Sequence, residues 1–200
     1  MKCKLLEALL VSLLMLGLCG CGDNGNNPSS NHGTIAYYTA GQSGTNCSPW
    51  GDGSASDQPA MAVEFTPPSY PLTISSVTIY AVNNTGSTQY CNIYGYSDLS
   101  TETSIFNPVL NNSIPDTGSS PQAITINIPT TTITSGSFYI AVGWVTKPLS
   151  SVSGANAFFL HTDSHMDYPN TSYISTSSSA WATLESVSSS AGDLGIEVNY

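Results

Sequence analysis

Apolar and polar residues alternate one for one in many short runs of this chain, and turn residues separate the runs. A period of two puts successive side chains on opposite faces of a strand, whereas no stretch of the folded part carries a credible amphipathic-helix pattern. Met61, Val63 and Phe65 alternate with Ala62 and Glu64; Ile124, Ile126 and Ile128 with Thr125 and Asn127; Leu194, Ile196 and Val198 with Gly195, Glu197 and Asn199. Each reads as a half-buried strand with one wet face. The predicted strands are Thr34–Thr39, Met61–Thr66, Leu72–Val82, Gln89–Ser97, Ala123–Ile128, Ser137–Val145, Ala157–Thr162, Ser172–Thr176, Ala180–Glu185 and Leu194–Tyr200. So many short, Thr-, Ile-, Val- and Tyr-rich strands predict an all-β antiparallel sandwich or barrel.

Two strands carry more information than the rest. Phe138–Val145 (FYIAVGWV) is apolar on both faces, which places it at the centre of a sheet. In LTISSVTIYAV, Leu72 and Ile74 share one parity and Val77, Ile79 and Ala81 the other. One extra residue near Ser75-Ser76 restores the phase, so a β-bulge is expected there.

Charge then narrows the partners. The chain of 200 residues holds 3 Lys+Arg and 13 Asp+Glu, a net charge of −10, and contains no arginine. Phosphate contacts need a basic surface, so nucleic acid is excluded as a partner. Only 8% of residues are charged, but 40% are hydrophobic, enough for a core rather than a disordered chain.

The N-terminus reads as an export signal. Lys2 and Lys4 precede an apolar run from Leu5 to Leu18 broken only by Glu7 and Ser12, too short to span a bilayer comfortably. It ends in Leu18-Cys19-Gly20-Cys21. This resembles the lipobox of bacterial lipoproteins, which implies cleavage after residue 20 and a lipid on Cys21, with the membrane as partner through that anchor. Two or three acyl chains would make the attachment stable. Gly22 stands where an aspartate would signal inner-membrane retention in enterobacterial lipoproteins, so the resemblance points to the outer membrane or cell surface. Removing residues 1–20 takes Lys2, Lys4 and Glu7, leaving 1 Lys against 12 acids, net −11. Residues 21–32 include an Asn-, Gly- and Ser-rich stretch that reads as a flexible tether, and 33–200 as a single domain.

Within that domain the order FTPP-x-YP-x-x-I-x-S-V-x-I-Y, SGSFYIAVGW, HTD…SYISTSSSAWATL and GDLGIEV is similar to jelly-roll-like β-sandwich modules of secreted bacterial proteins. The resemblance implies the fold. It implies no catalytic residue, since these modules share no catalytic signature.

Four constellations could carry chemistry. Cys47 and Cys91 are the cysteines left after export and lipidation; in an oxidising compartment they read as a disulfide. It would close a loop of about 44 residues, stabilising by roughly 4 kcal/mol. The other reading makes Cys91 a small core residue beside Ile93 and Cys47 a free thiol. Tyr90, Tyr94 and Tyr96 share a parity opposite to Cys91 and Ile93, and Tyr80 is opposite to Ile79 and Ala81. If the two strands pair, the four tyrosines form an outward aromatic patch of the kind that holds sugars, with Trp50 as a further exposed ring; cross-strand packing is the alternative. His161, Asp163, His165 and Asp167 alternate in a segment that would have to curl to hold zinc or a similar ion. Asp52 and Asp57 sit in a Gly- and Ser-rich loop offering oxygen ligands for calcium or, more simply, local turn hydrogen bonds.

No G-x-S-x-G elbow, cysteine nucleophile or phosphate-binding glycine motif occurs. The sequence is therefore expected to encode a non-enzymatic, lipid-anchored envelope module without a required cofactor, binding a glycan or an envelope protein. The alternative is a metal-dependent hydrolase or metal-stabilised domain using the His161–Asp167 segment, with structural calcium or zinc.

Overall fold

The computed structural model describes residues 33–39, 46–47, 60–145, 158–164, 167–177, 180–187 and 192–200. Among them the chain forms strands β1 (Thr34–Ala36), β2 (Asn46–Cys47), β3 (Ala60–Phe65), β4 (Leu72–Val82), β5 (Gln89–Asp98), β6 (Thr103–Ser104), β7 (Val109–Ile114), β8 (Gln122–Ile133), β9 (Phe138–Trp144), β10 (Phe159–His161), β11 (Ser172–Ser177), β12 (Ala180–Thr183) and β13 (Ile196–Asn199). One helical turn, α1 (Leu184–Val187), follows β12. Residues 1–32, with the expected leader 1–20, the expected tether 21–32 and Cys21, lie outside the described residues.

Alternation is realised as two antiparallel sheets. The first has the order β1-β13-β4-β10-β2, with β8 along the other side of β4; the second has the order β12-β11-β3-β9-β5-β6, with β7 also on β5. The expected all-β sandwich is the fold. Leu72, Ile74, Val77 and Ile79 of the first sheet and Met61, Val63, Phe65, Ile93, Ile140 and Val142 of the second bury into one apolar core. Phe65 and Phe138 stack inside it at 5.6 Å, and Trp144 stacks on Phe158 at 4.8 Å while its Nε1 donates to the Phe158 carbonyl at 2.8 Å. Each such fully buried side chain contributes about 1.5–3 kcal/mol of transfer free energy, so the inward parity of every strand is strongly specified.

The interior position of β9 holds, and the ladder of β4 is interrupted where expected, but the extra residues lie on β8 rather than at Ser75-Ser76. β9 is flanked by β3 and β5, in register from Ala60↔Gly143 on one side and Cys91↔Trp144 on the other. Between β4 and β8 the register shifts from Ile74↔Thr131 to Ser76↔Asn127. The skipped residues of β8 include Pro129, which has no N–H to give the ladder. The expected strand over Ala180–Glu185 ends at Thr183, where α1 begins, and β2, β6 and β7 are strands that alternation alone did not mark.

Two further expectations are corrected. β4 and β5 do not pair: they lie in different sheets. The Asn83 side chain directs the crossing, since its Nδ2 donates to the carbonyls of Ser87, Ile114 and Pro115 at 2.8, 2.9 and 3.1 Å and its Oδ1 accepts from Thr85. The disulfide is also not formed. Cys91 is a free, fully buried thiol in register with Trp144, and burial pushes it up to about 12. Cys47 belongs to the first sheet through its pairing with Leu160, and its side chain lies outside the described residues.

Candidate functional site: an aromatic groove on the second sheet

The outer faces of the two sheets are chemically different. On the first, hydroxyls and amides pair across strands: Thr78 with Thr125 at 3.0 Å, Thr73 with Thr132 at 3.1 Å, and Asn199 Nδ2 to Ser76 and Thr78. These cross-strand pairs saturate one another and offer little to a ligand. On the second sheet the same positions hold rings laid over small residues. Ala62 of β3 and Ala141 of β9 form the floor, with Tyr94, Tyr96, Tyr139, Tyr173 and Trp181 packed around them. The register explains the arrangement, since Tyr94 is opposite Ala141, Tyr96 opposite Tyr139, and Tyr173 opposite Ala62.

The parity expected for β5 is present. Tyr94 and Tyr96 stack nearly parallel, 6.1 Å apart and 6° from coplanar, and the Tyr94 hydroxyl accepts from Asn92 Nδ2 at 3.2 Å. Gly143 makes room for this: a Cβ there would lie 2.9 Å from the Tyr94 ring. Tyr96, however, is packed with Leu99 and keeps only 9% exposure, so it supports the face rather than offering a ring to solvent. Tyr90 is exposed farther along β5. Tyr80 lies on the first sheet, where its hydroxyl donates to Glu197 at 3.1 Å and Tyr38 covers its ring at 4.5 Å. Trp50 lies outside the described residues.

Sequence parity missed the rings that line the opening. Asp98, Leu99, Ser100, Tyr139, Tyr173, Ala180 and Trp181 enclose an open groove of about 430 Å³. β9 supplies Tyr139, β11 supplies Tyr173, and the β11–β12 hairpin carries Trp181 across from the turn after β5. Tyr139 and Tyr173 meet edge to face at 5.7 Å, and Trp181 Nε1 donates to Glu102 Oε1 at 3.3 Å, fixing the indole. The Tyr173 hydroxyl donates to Glu64 Oε2 at 3.1 Å. Burial, then the Glu64 carboxylate, raises both phenols above their ordinary value, so both stay protonated donors.

Asp98 supplies the acceptor. Its Oδ1 takes hydrogen bonds from the Ser100 hydroxyl and amide at 2.7 Å and from the Thr101 amide. The Ser100 hydroxyl bond, then the Ser100 amide bond, lowers its carboxyl below the usual range. The groove thus combines flat rings, neutral phenol hydroxyls and a carboxylate at one rim.

Of the four expected metal ligands in the His161–Asp167 segment, the structure describes His161, Asp163 and Asp167. His161 is buried edge-on against Tyr38, with centroids 6.1 Å apart, Asp163 is buried, and Asp167 is exposed. His165, Asp52 and Asp57 lie outside the described residues. Among the described residues no group of three or more His, Cys, Asp or Glu converges on one point. Asp163 is instead beside Asp193, a residue the sequence did not single out. Burial, then the Asp163 charge, pushes the Asp193 carboxyl up to about 6.

No protein-family model matches this chain, and no curated protein or solved structure matches it either.

Proposed function

We propose that this chain is a non-enzymatic, lipid-anchored cell-envelope protein whose sandwich presents a glycan-binding groove. The observation that carries the reading is the meeting of Tyr139, Tyr173 and Trp181 with Asp98 and Ser100 at one opening. A sugar ring has an apolar face of C–H bonds and an edge of hydroxyls. The half-buried rings match the first, and the carboxylate and phenol hydroxyls match the second. The acids at the rim (Asp98, Glu102, Glu64) and the net charge of −10 select neutral or cationic glycans over anionic ones. Leu18-Cys19-Gly20-Cys21 supports the anchoring, with Cys21 as the lipid-bearing residue at the outer membrane or cell surface.

The test is affinity electrophoresis and array binding of the full chain in detergent against neutral and acidic polysaccharides. Trp181→Ala removes one stacking surface and is expected to weaken binding at least about tenfold, in the range of one lost aromatic contact. Tyr80→Ala, on the opposite sheet, is expected to leave it unchanged. Undiminished binding by Trp181→Ala, or binding restricted to anionic glycans, rejects the reading. For the anchor, metabolic labelling with a fatty-acid probe is expected in the wild type and lost in Cys21→Ser.

A further inference from the structure

Away from the groove, the loop after β10 and the segment entering β13 meet beside an isolated bridge between Thr162 and Leu194. Two aspartates are sequestered there, Asp163 and Asp193, each about 1% exposed. Their backbones clasp: Asp163 N donates to the Asp193 carbonyl at 3.2 Å, and Asp193 N donates to Asp163 Oδ1 at 3.0 Å. Thr39 N donates to Asp163 Oδ2 at 2.9 Å. The approach is close enough to require glycine at 192, since a Cβ there would sit 2.1 Å from the Asp163 carbonyl oxygen and 2.5 Å from its Oδ1.

The Asp193 carboxylate is only half satisfied. Its Oδ2 accepts from the Asp167 and Tyr168 amides at 3.1 and 3.3 Å. Its Oδ1 is completely buried and has no hydrogen-bond partner. Buried carboxylate oxygens are normally paired or bound to a metal. No lysine or arginine side chain stands among the described residues to do the pairing, because the chain's only three basic residues of those types are Lys2, Lys4 and Lys147.

We propose that Asp163 and Asp193 hold a divalent cation of the calcium type, with the unpartnered Asp193 Oδ1 as its anchoring ligand. The donors are hard oxygens, which select calcium over zinc. With two carboxylates, the remaining coordination falls to backbone carbonyls and water, and affinity belongs to the weak range of extracellular modules, about 0.1–1 mM. The ion ties together elements far apart in sequence: the loop after β10, the segment entering β13 and, through the Asp163 carboxylate, the segment at Thr39. This assignment does not depend on the glycan reading, and it replaces the histidine-based ligand set with one that includes Asp193.

The experiment titrates calcium, with magnesium as control, into chelator-treated full-length protein at neutral pH while following thermal unfolding. The wild type is expected to gain roughly 5–10 °C at hundredfold excess over Kd, with a midpoint near 0.1–1 mM and a smaller response to magnesium. Asp193→Asn keeps an oxygen for the two amides but removes the charge. It is expected to weaken calcium binding at least about tenfold, and to raise the melting temperature of the metal-free protein by relieving the repulsion from Asp163. Terbium luminescence sensitised by tyrosine and displaced by calcium reads the wild-type site directly, so the outcome does not hang on the variant folding. No calcium response in the wild type, no displaceable terbium, or an undiminished response in Asp193→Asn overturns the assignment.

Discussion

Replacing Gly95 by alanine inserts one methyl group where the core has no space for it. Gly95 lies on β5 in the same parity as Cys91 and Ile93, and a Cβ there would sit 2.1 Å from Cε1 and 2.6 Å from Cζ of Phe106. Non-bonded carbons rest at about 3.5–4.0 Å, so the ring must retreat by roughly 1.5 Å. It cannot slide freely, because Ile105 N donates to the Gly95 carbonyl at 2.9 Å and holds the backbone beside it, and the ring is only 8% exposed. Overpacking of this kind costs about 1–3 kcal/mol. Alanine recovers about 0.5–1 kcal/mol of the entropy that glycine forfeits in a strand, leaving an expected net loss of about 1–2 kcal/mol. Phe106→Ala alone is expected to cost about 3–4 kcal/mol. The double variant should cost no more than Phe106→Ala, because the ring that clashes is gone, which gives a coupling of about −1 to −2 kcal/mol. Urea unfolding followed by circular dichroism and tryptophan fluorescence on the four proteins measures the cycle. A Gly95→Ala variant within about 0.5 kcal/mol of wild type, or simple additivity, refutes the reasoning.

Asn83→Ala strips donors from the three carbonyls at the crossing between the sheets and is expected to cost about 2–4 kcal/mol by the same unfolding assay, whereas an exposed Asn84→Ala should be nearly silent. Cys91, free and held up to about 12 by burial, is expected to resist alkylation in the native protein and to react on denaturation without a reductant; a requirement for reductant would show a disulfide. Burial, then Tyr80 and the Asp163 and Glu197 charges, raises Tyr38 to about 12. The sign follows from linkage: unfolded tyrosine ionises near pH 10, so the stability from neutral Tyr38 is complete below about pH 10 and lost as pH rises toward 12. Urea midpoints measured across that window should fall, and Tyr38→Phe should fall less.

Much of the fold was legible because strand period is a property of neighbouring residues. Alternation marked most of the strands, the phase error in LTISSVTIYAV marked the register shift at Ile74–Ser76, and the two-sided apolarity of FYIAVGWV marked β9 as an interior strand. Where side chains replace the period, legibility failed. VLNNSI shows no alternation that marks a strand, yet it forms β7 with a register shift against β5, Asn111 at φ 56°, and Asn112 bonded to the Val109 and Cys91 carbonyls. The parity of the β5 tyrosines was readable, but their burial was not, because Leu99 covers Tyr96 from a turn that no periodicity describes.

What the amino-acid order settled by itself is therefore local: which residues extend, and which of their faces is greasy. Only the tertiary structure decided which sheet each strand joins, and so which side chains meet. Tyr80 left the tyrosine patch because a buried asparagine carries the chain across the sandwich. Trp181 joined Tyr139 and Tyr173, and Asp193 met Asp163 thirty positions away. The physical reason is the same in each case: periodicity fixes the direction of a side chain relative to its own strand, whereas a site is made by contacts between strands, whose order depends on loop crossings and core packing summed over the whole chain.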